Sequence, residues 1–133
     1  EQLMRVSQKL AGYSLEEAHT QAVVAALVGG PWLLADELST LLPEERAVLE
    51  DPAVLDLAWD ARGFRPLDLF QHLDDGPEHA YSQPRDLSSV WIAERAGGAV
   101  VALANWTDEP AGRVAPDGTK VEIPAHGIRV VRA

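Results

Sequence analysis

The chain has 133 residues, 47% apolar and 24% charged, which is enough for one domain with a proper core and too apolar for disorder. Its net charge of −10 repels phosphate backbones, so no nucleic-acid partner is expected, whereas neutral ligands such as sugars are not excluded. With no cysteine, disulfides, thiolate chemistry and cysteine-based zinc sites are ruled out, and a cytoplasmic, reducing setting is the expectation.

The charge is uneven: residues 1–62 hold 4 basic and 11 acidic groups, residues 63–133 hold 7 and 10. No apolar run approaches the roughly 20 residues of a membrane helix, and no cationic leader precedes the first helical segment, so no membrane partner is expected. That segment places Leu3, Val6 and Leu10 at helical spacing and stops at Gly12. Ser14 and Glu17 then form a capping box ahead of a helix that is apolar almost all round over residues 22–28. All-round apolarity predicts burial on more than one side, a demand for neighbours that a short chain with few helices would not itself supply.

Gly29-Gly30-Pro31-Trp32-Leu33-Leu34-Ala35-Asp36-Glu37-Leu38 follows: a small-residue hinge, a short apolar strand over residues 31–35, and two carboxylates where a helix begins. Continuous apolar strands that end in acidic residues and feed a helix are typical of parallel α/β sheets and barrels, whose C-terminal strand ends face the active site. Only one such unit is present. Pro43, with Glu44 and Glu45 behind it, predicts a helix start, and Asp51-Pro52 predicts a second, reaching about Leu57.

Gly63 marks a change of composition, after which the signals are those of short strands and turns. An edge strand is expected over residues 66–70, a loop over 74–83, and a hairpin from residues 89–95 and 99–106 around Ala96-Gly97-Gly98. Pro116-Asp117-Gly118 turns a weak strand near Arg113 into one over residues 119–123, and Ala125-His126-Gly127 leads into residues 128–132. Val101, Leu103, Val121, Ile123 and Ile128 are the expected core. The fold class is α+β: N-terminal helices with one barrel-type strand, then an antiparallel β-sandwich. The expected domains are 1–62, the end of a barrel, and 63–133, the sandwich.

Candidate chemistry is sparse. Asp36 reads as a helix cap or a supporting group at a barrel mouth, or as a direct contact to a sugar hydroxyl. It and Glu37 are adjacent, hence on opposite faces of a strand, and poorly placed to act together on one scissile bond. Trp32 is a candidate sugar-stacking platform, with core packing as the alternative. Trp59, Trp91 and Trp106 read as interface or sandwich residues. His19, His72, His79 and His126 lack metal-ligand spacing, so no metal is expected, and His126 in its turn suits a local hydrogen bond. No nucleophile elbow occurs, and Gly97-Gly98 joins two strands rather than cradling a phosphate ahead of a helix.

Three segments follow one another: Ala25-Ala26-Leu27-Val28-Gly29-Gly30-Pro31 running into Leu33-Leu34-Ala35-Asp36-Glu37-Leu38; Leu42-Pro43-Glu44-Glu45-Arg46-Ala47-Val48-Leu49; and residues 100–110, with Asn105-Trp106-Thr107-Asp108, together with Ile123-Pro124-Ala125-His126-Gly127. Their order resembles that in the melibiase-like α-galactosidases among retaining glycoside hydrolases. The resemblance implies a (β/α)8 barrel followed by a C-terminal β-sandwich, a carbohydrate substrate and no cofactor. It also implies a catalytic Asp pair on the fourth and sixth barrel strands, upstream of Glu1, so that no catalytic residue stands in this chain. A free-standing sandwich module that binds carbohydrate or another protein is the alternative. The apolar N-terminal region is expected to be covered by a barrel portion or by a second copy in a homodimer.

Overall fold

The computed structural model describes residues 13–29, 38–68 and 88–133. The helical segment over residues 1–10, the strand over 31–35 with Trp32, Asp36 and Glu37, the loop over 74–83, and His72 and His79 lie outside these residues. Helix α1 spans Leu15–Val28 and begins as its capping box dictates. The Ser14 N–H donates to Glu17 Oε2 at 2.7 Å, and the Glu17 N–H donates to Ser14 Oγ at 3.1 Å. Gly29 ends the helix in the left-handed region at φ 72°.

A 3-10 turn over Leu38–Thr40 precedes α2 (Pro43–Leu49). Leu42 has no polar side chain, so only half a capping box forms there: buried Glu45 accepts the Leu42 N–H at 2.8 Å. Helix α3 (Pro52–Asp60) starts at Asp51, whose Oδ1 accepts the Ala53 N–H at 2.9 Å. It runs a turn's length beyond the expected end near Leu57, because no residue up to Asp60 breaks it. Arg62 then satisfies its last carbonyls, donating to Ala61 O at 2.7 Å and Trp59 O at 3.2 Å.

Six strands follow: β1 (Arg62–Pro66), β2 (Val90–Glu94), β3 (Val100–Ala104), β4 (Ala111–Val114), β5 (Lys120–Ile123) and β6 (Ile128–Arg132). An antiparallel sheet has the order β1-β2-β3-β6, and β4 and β5 form a separate hairpin. The architecture is α+β, helices followed by antiparallel sheets. One expected strand is displaced: the edge strand lies at Arg62–Pro66, ending at Pro66 rather than starting there. Proline lacks the N–H to continue a ladder. Gly63 is part of β1. It sits at φ 65° where pairing shifts from Arg62↔Glu94 to Arg65↔Ile92, three residues on one strand against two on the other. That is a β-bulge, and glycine adopts its left-handed backbone without strain.

β3 is buried along its whole length, and its alternation assigns its two faces. Val100, Ala102 and Ala104 join Ala93 and Ile128 in a cluster with Ala18, Ala22, Val23, Ala26 and Leu27 of α1 and Val54 and Leu57 of α3. Val101 and Leu103 face the other way, onto Ile123 and Ala115, with Val121 half-buried beside them. Thus helices cover one face of the central strand and the β4–β5 hairpin the other. The neighbours that α1 was expected to lack are present in the chain: α2, α3, β1 and β6 pack around it. Val24 and Ala25 are partly covered, and within residues 22–28 only Val28, at the helix end, is exposed.

Candidate functional site

The residues singled out from the sequence as substrate contacts, Asp36 and Trp32, lie outside the described residues, so the site must be read from the rest of the molecule. Three polar constellations stand out.

The first is the corner where β3 ends. Asn105 is fully buried, at 0% exposure, and its amide is saturated. Its Nδ2 lies 2.7 Å from Glu109 O, 3.1 Å from Pro124 O and 3.2 Å from Ile123 O, while its Oδ1 accepts the Thr107 N–H at 3.1 Å. Thr107 Oγ1 sits 2.7 Å from that Oδ1 and 2.9 Å from Glu109 O, its single proton serving one at a time. One side chain thereby ties the loop after β3 to the end of β5, and no polar group is left over to meet a ligand. His126 has the local bond expected of a turn histidine: Nε2 lies 2.7 Å from Asp108 Oδ1. It is the one non-glycine among the described residues at positive φ, 56°. Its carbonyl accepts the Thr20 hydroxyl of α1 at 2.7 Å. Beyond the turn, Arg129 Nη1 of β6 donates to Glu16 Oε1 at 2.7 Å, so α1 is pinned once to the β5–β6 turn and once to β6.

The second lies at the start of β2. Buried Asp68 accepts the Ser89 N–H at 2.8 Å, the Ser89 hydroxyl at 3.1 Å and the Val90 N–H at 3.2 Å. The Ser88 carbonyl accepts both the Trp91 indole at 3.0 Å and the Trp106 indole at 2.8 Å, and Trp91 stacks on Phe64 at 4.7 Å. These two tryptophans are structural, as expected. Trp59 differs: its side chain is 85% exposed on α3, with Leu55 half-exposed one turn earlier.

The third is a cleft of about 270 Å³ bounded by Asp60, Arg95, Gly97, Gly98, Ala99 and Arg132. Arg95 Nε donates to Asp60 Oδ1 at 2.6 Å, both side chains being about a quarter exposed, at 25% and 26%. This guanidinium, above all through its hydrogen bond, holds the Asp60 carboxyl below the usual aspartate range, with the Ala96 N–H and Arg62 adding to the effect. The cleft has one carboxylate side chain, already engaged by an arginine, and so no pair of acidic side chains of the kind glycoside hydrolysis uses. Among the described residues no cluster of three or more His, Asp or Glu could hold a metal ion. No described helix is long and apolar enough to cross a membrane. The sequence does not reveal this cleft, which depends on which face of β2 the helices cover. Ala93 faces the helices, so Arg95, two residues on, faces them too, at the rim of a Gly-Gly turn.

No protein-family model matches the sequence, and no curated protein matches it either. Among solved structures, the chain is similar to alpha-galactosidase I from Mortierella vinacea, with a TM-score of 0.64 and 14% identity. The similarity covers 94% of this chain and 37% of that one, so the 133 residues span little more than a third of the enzyme's length. At that identity the likeness speaks for architecture: the chain has an α-galactosidase-like fold of helices followed by antiparallel sheets.

Proposed function

We propose that this chain is the C-terminal region of an α-galactosidase-like glycoside hydrolase that cleaves terminal α-linked sugars. Residues 1–62 are the end of its (β/α)8 barrel and residues 63–133 its C-terminal β-sandwich. The observation that carries the reading is the structural similarity along 94% of the chain, in agreement with the order of segments in the sequence. In this reading the catalytic Asp pair belongs to barrel strands outside the 133 residues, Asp36 stands at the barrel mouth, and Trp32, earlier in the strand and away from the rim, packs in the core or serves as a sugar-stacking platform. Retaining hydrolysis needs a nucleophile and an acid/base about 5–5.5 Å apart, and the adjacent Asp36 and Glu37 do not supply them. The sugar is the partner, no cofactor is required, and the apolar segment over residues 31–35 meets the barrel portion or a second copy.

The test is turnover of a chromogenic α-galactoside. The purified 133-residue chain is expected to be inactive, and a longer chain with a complete barrel active. Hydrolysis by the short chain, abolished by Asp36→Asn, would overturn the division of labour. One observation favours a second reading, a free-standing module that binds carbohydrate or a protein: α1 is covered by elements of this same chain. A neutral galactoside retained by the isolated chain in equilibrium dialysis, without turnover, would favour that module.

A further inference from the structure

We propose that the cleft between the end of α3 and the β2–β3 turn is a binding site for a small oxyanion, held between the guanidinium groups of Arg95 and Arg132. The register of the sheet places both arginines on one face. Arg132 lies directly opposite Val100, and Val100 opposite Ala93, so all three share the helix-facing side of the sheet. Arg95 is two residues beyond Ala93 and returns to that side, as its bond to Asp60 of α3 requires. The two arginines therefore flank the start of the central strand, one just past the end of β2 and one in β6, roughly 12 Å apart at the backbone, two strand spacings across and two residues along.

What lies between them is small. Gly97 and Gly98 have nothing within 4 Å of where a Cβ would stand, and Ala99 adds one methyl group. The resulting space is the cleft of about 270 Å³, ample for a carboxylate or phosphate group with part of the molecule that bears it.

In a chain of net charge −10, two arginines line this cleft beside one carboxylate side chain, that of Asp60, with Ala133 also at its rim. Asp60 takes the Nε of Arg95, which leaves the Nη end of that fork without a partner among the described residues. Arg132 has no hydrogen-bond or ion-pair partner among the described residues, although every other described arginine has one. A guanidinium fork matches carboxylate and phosphate oxygens in pairs, and two forks on one face are suited to a ligand with several equivalent oxygens. The shared chemistry is the oxyanion; a phosphate ester and a carboxylic acid are its two sources. This inference does not depend on the hydrolase reading, because it rests only on the residues that line the cleft.

Amide chemical shifts of the labelled 133-residue chain provide the test, under titration with inorganic phosphate, with galacturonate and with neutral galactose at constant ionic strength. The Gly97, Gly98 and Ala99 amides are expected to shift saturably with an anion, half-saturating at roughly 10 mM or below, and to ignore galactose. A response to phosphate alone assigns a phosphate ester, and one to galacturonate alone a carboxylate. Arg132→Gln is expected to weaken binding roughly tenfold, with Arg132→Lys, which keeps the charge but not the fork, in between. Arg132 is exposed, so neither variant endangers folding. Linear, unsaturated shifts matched by sodium chloride, or unchanged affinity in Arg132→Gln, would overturn the proposal.

Discussion

Single side chains close several of the long-range connections, and Asn105 closes most. Its buried amide meets three carbonyls and a threonine from segments up to 19 residues away, so truncation would strand the buried Ile123 carbonyl and leave two partly buried ones without this donor. Asn105→Ala is expected to cost about 3 kcal/mol in urea denaturation, since each buried unsatisfied group costs about 1–3 kcal/mol. A loss near that of an exposed substitution, under about 0.5 kcal/mol, would contradict the role. Asp60 makes a pH-dependent contribution. Its carboxyl titrates below the ordinary aspartate range in the folded chain, so the Arg95 pairing stabilises the fold above that range and is lost as pH falls through the lowered value. In Asp60→Asn the melting temperature should be lower near neutrality, and the gap to the parent should close as the pH drops below about 4. A gap that persists unchanged into acid would show that the charge is not the cause.

At the scale of elements, what could be read from the sequence was local. The Ser14–Glu17 box, the prolines at the starts of α2 and α3, and the Gly97-Gly98 and Asp117-Gly118 turns act over two to four residues. Each fixed an element within a residue or two. The shift of the edge strand was not legible, because the bulge at Gly63 arises from pairing with a strand some thirty residues later. The cleft was hidden for the same reason: Asp60 and Arg95 meet only because α3 lies across the sheet. Asp36 and Trp32 were chosen for their place after an apolar run, a local signal that says nothing about their surroundings. Two elements invite measurement. Leu103→Ala on β3 should cost about 2–5 kcal/mol, because the strand is enclosed on both faces and the vacated space cannot refill. Gly127→Ala should destabilise the junction of α1 with the β5–β6 turn. A methyl there would stand 2.8 Å from Glu16 Oε1 and 3.0 Å from the Pro124 carbonyl. The carboxylate can swing away, at the expense of its bond to Arg129; the backbone carbonyl cannot. Unchanged stability in denaturation would mean that the turn relaxes freely.

Across the whole molecule, the apolar cluster that joins α1 and α3 to the helix-facing side of the sheet crosses the boundary drawn at residue 62. Ala22 and Ala26 of α1 are as completely enclosed as Ala102 and Ala104 of β3, and they enclose one another. Elements that share one core open together. Native-state hydrogen exchange should accordingly give the slowest amides of α1 and of β3 the same opening free energy, and the same dependence on denaturant. A helix that exchanges well before β3 would show the helices to be an appendage, as expected of a remnant held mainly by elements outside the chain.

The four tryptophans turn this architecture into an optical instrument. Trp91 and Trp106 donate their indole N–H groups to one carbonyl, that of Ser88, so their emission reports on a single junction between β2 and the end of β3. Trp59, standing almost wholly in water, emits at longer wavelength and answers to quenchers such as iodide. With Trp32→Phe and Trp59→Phe in place, the remaining fluorescence would follow that one peptide group. Any ligand or partner chain that disturbed the junction would announce itself as a shift in colour, without a label.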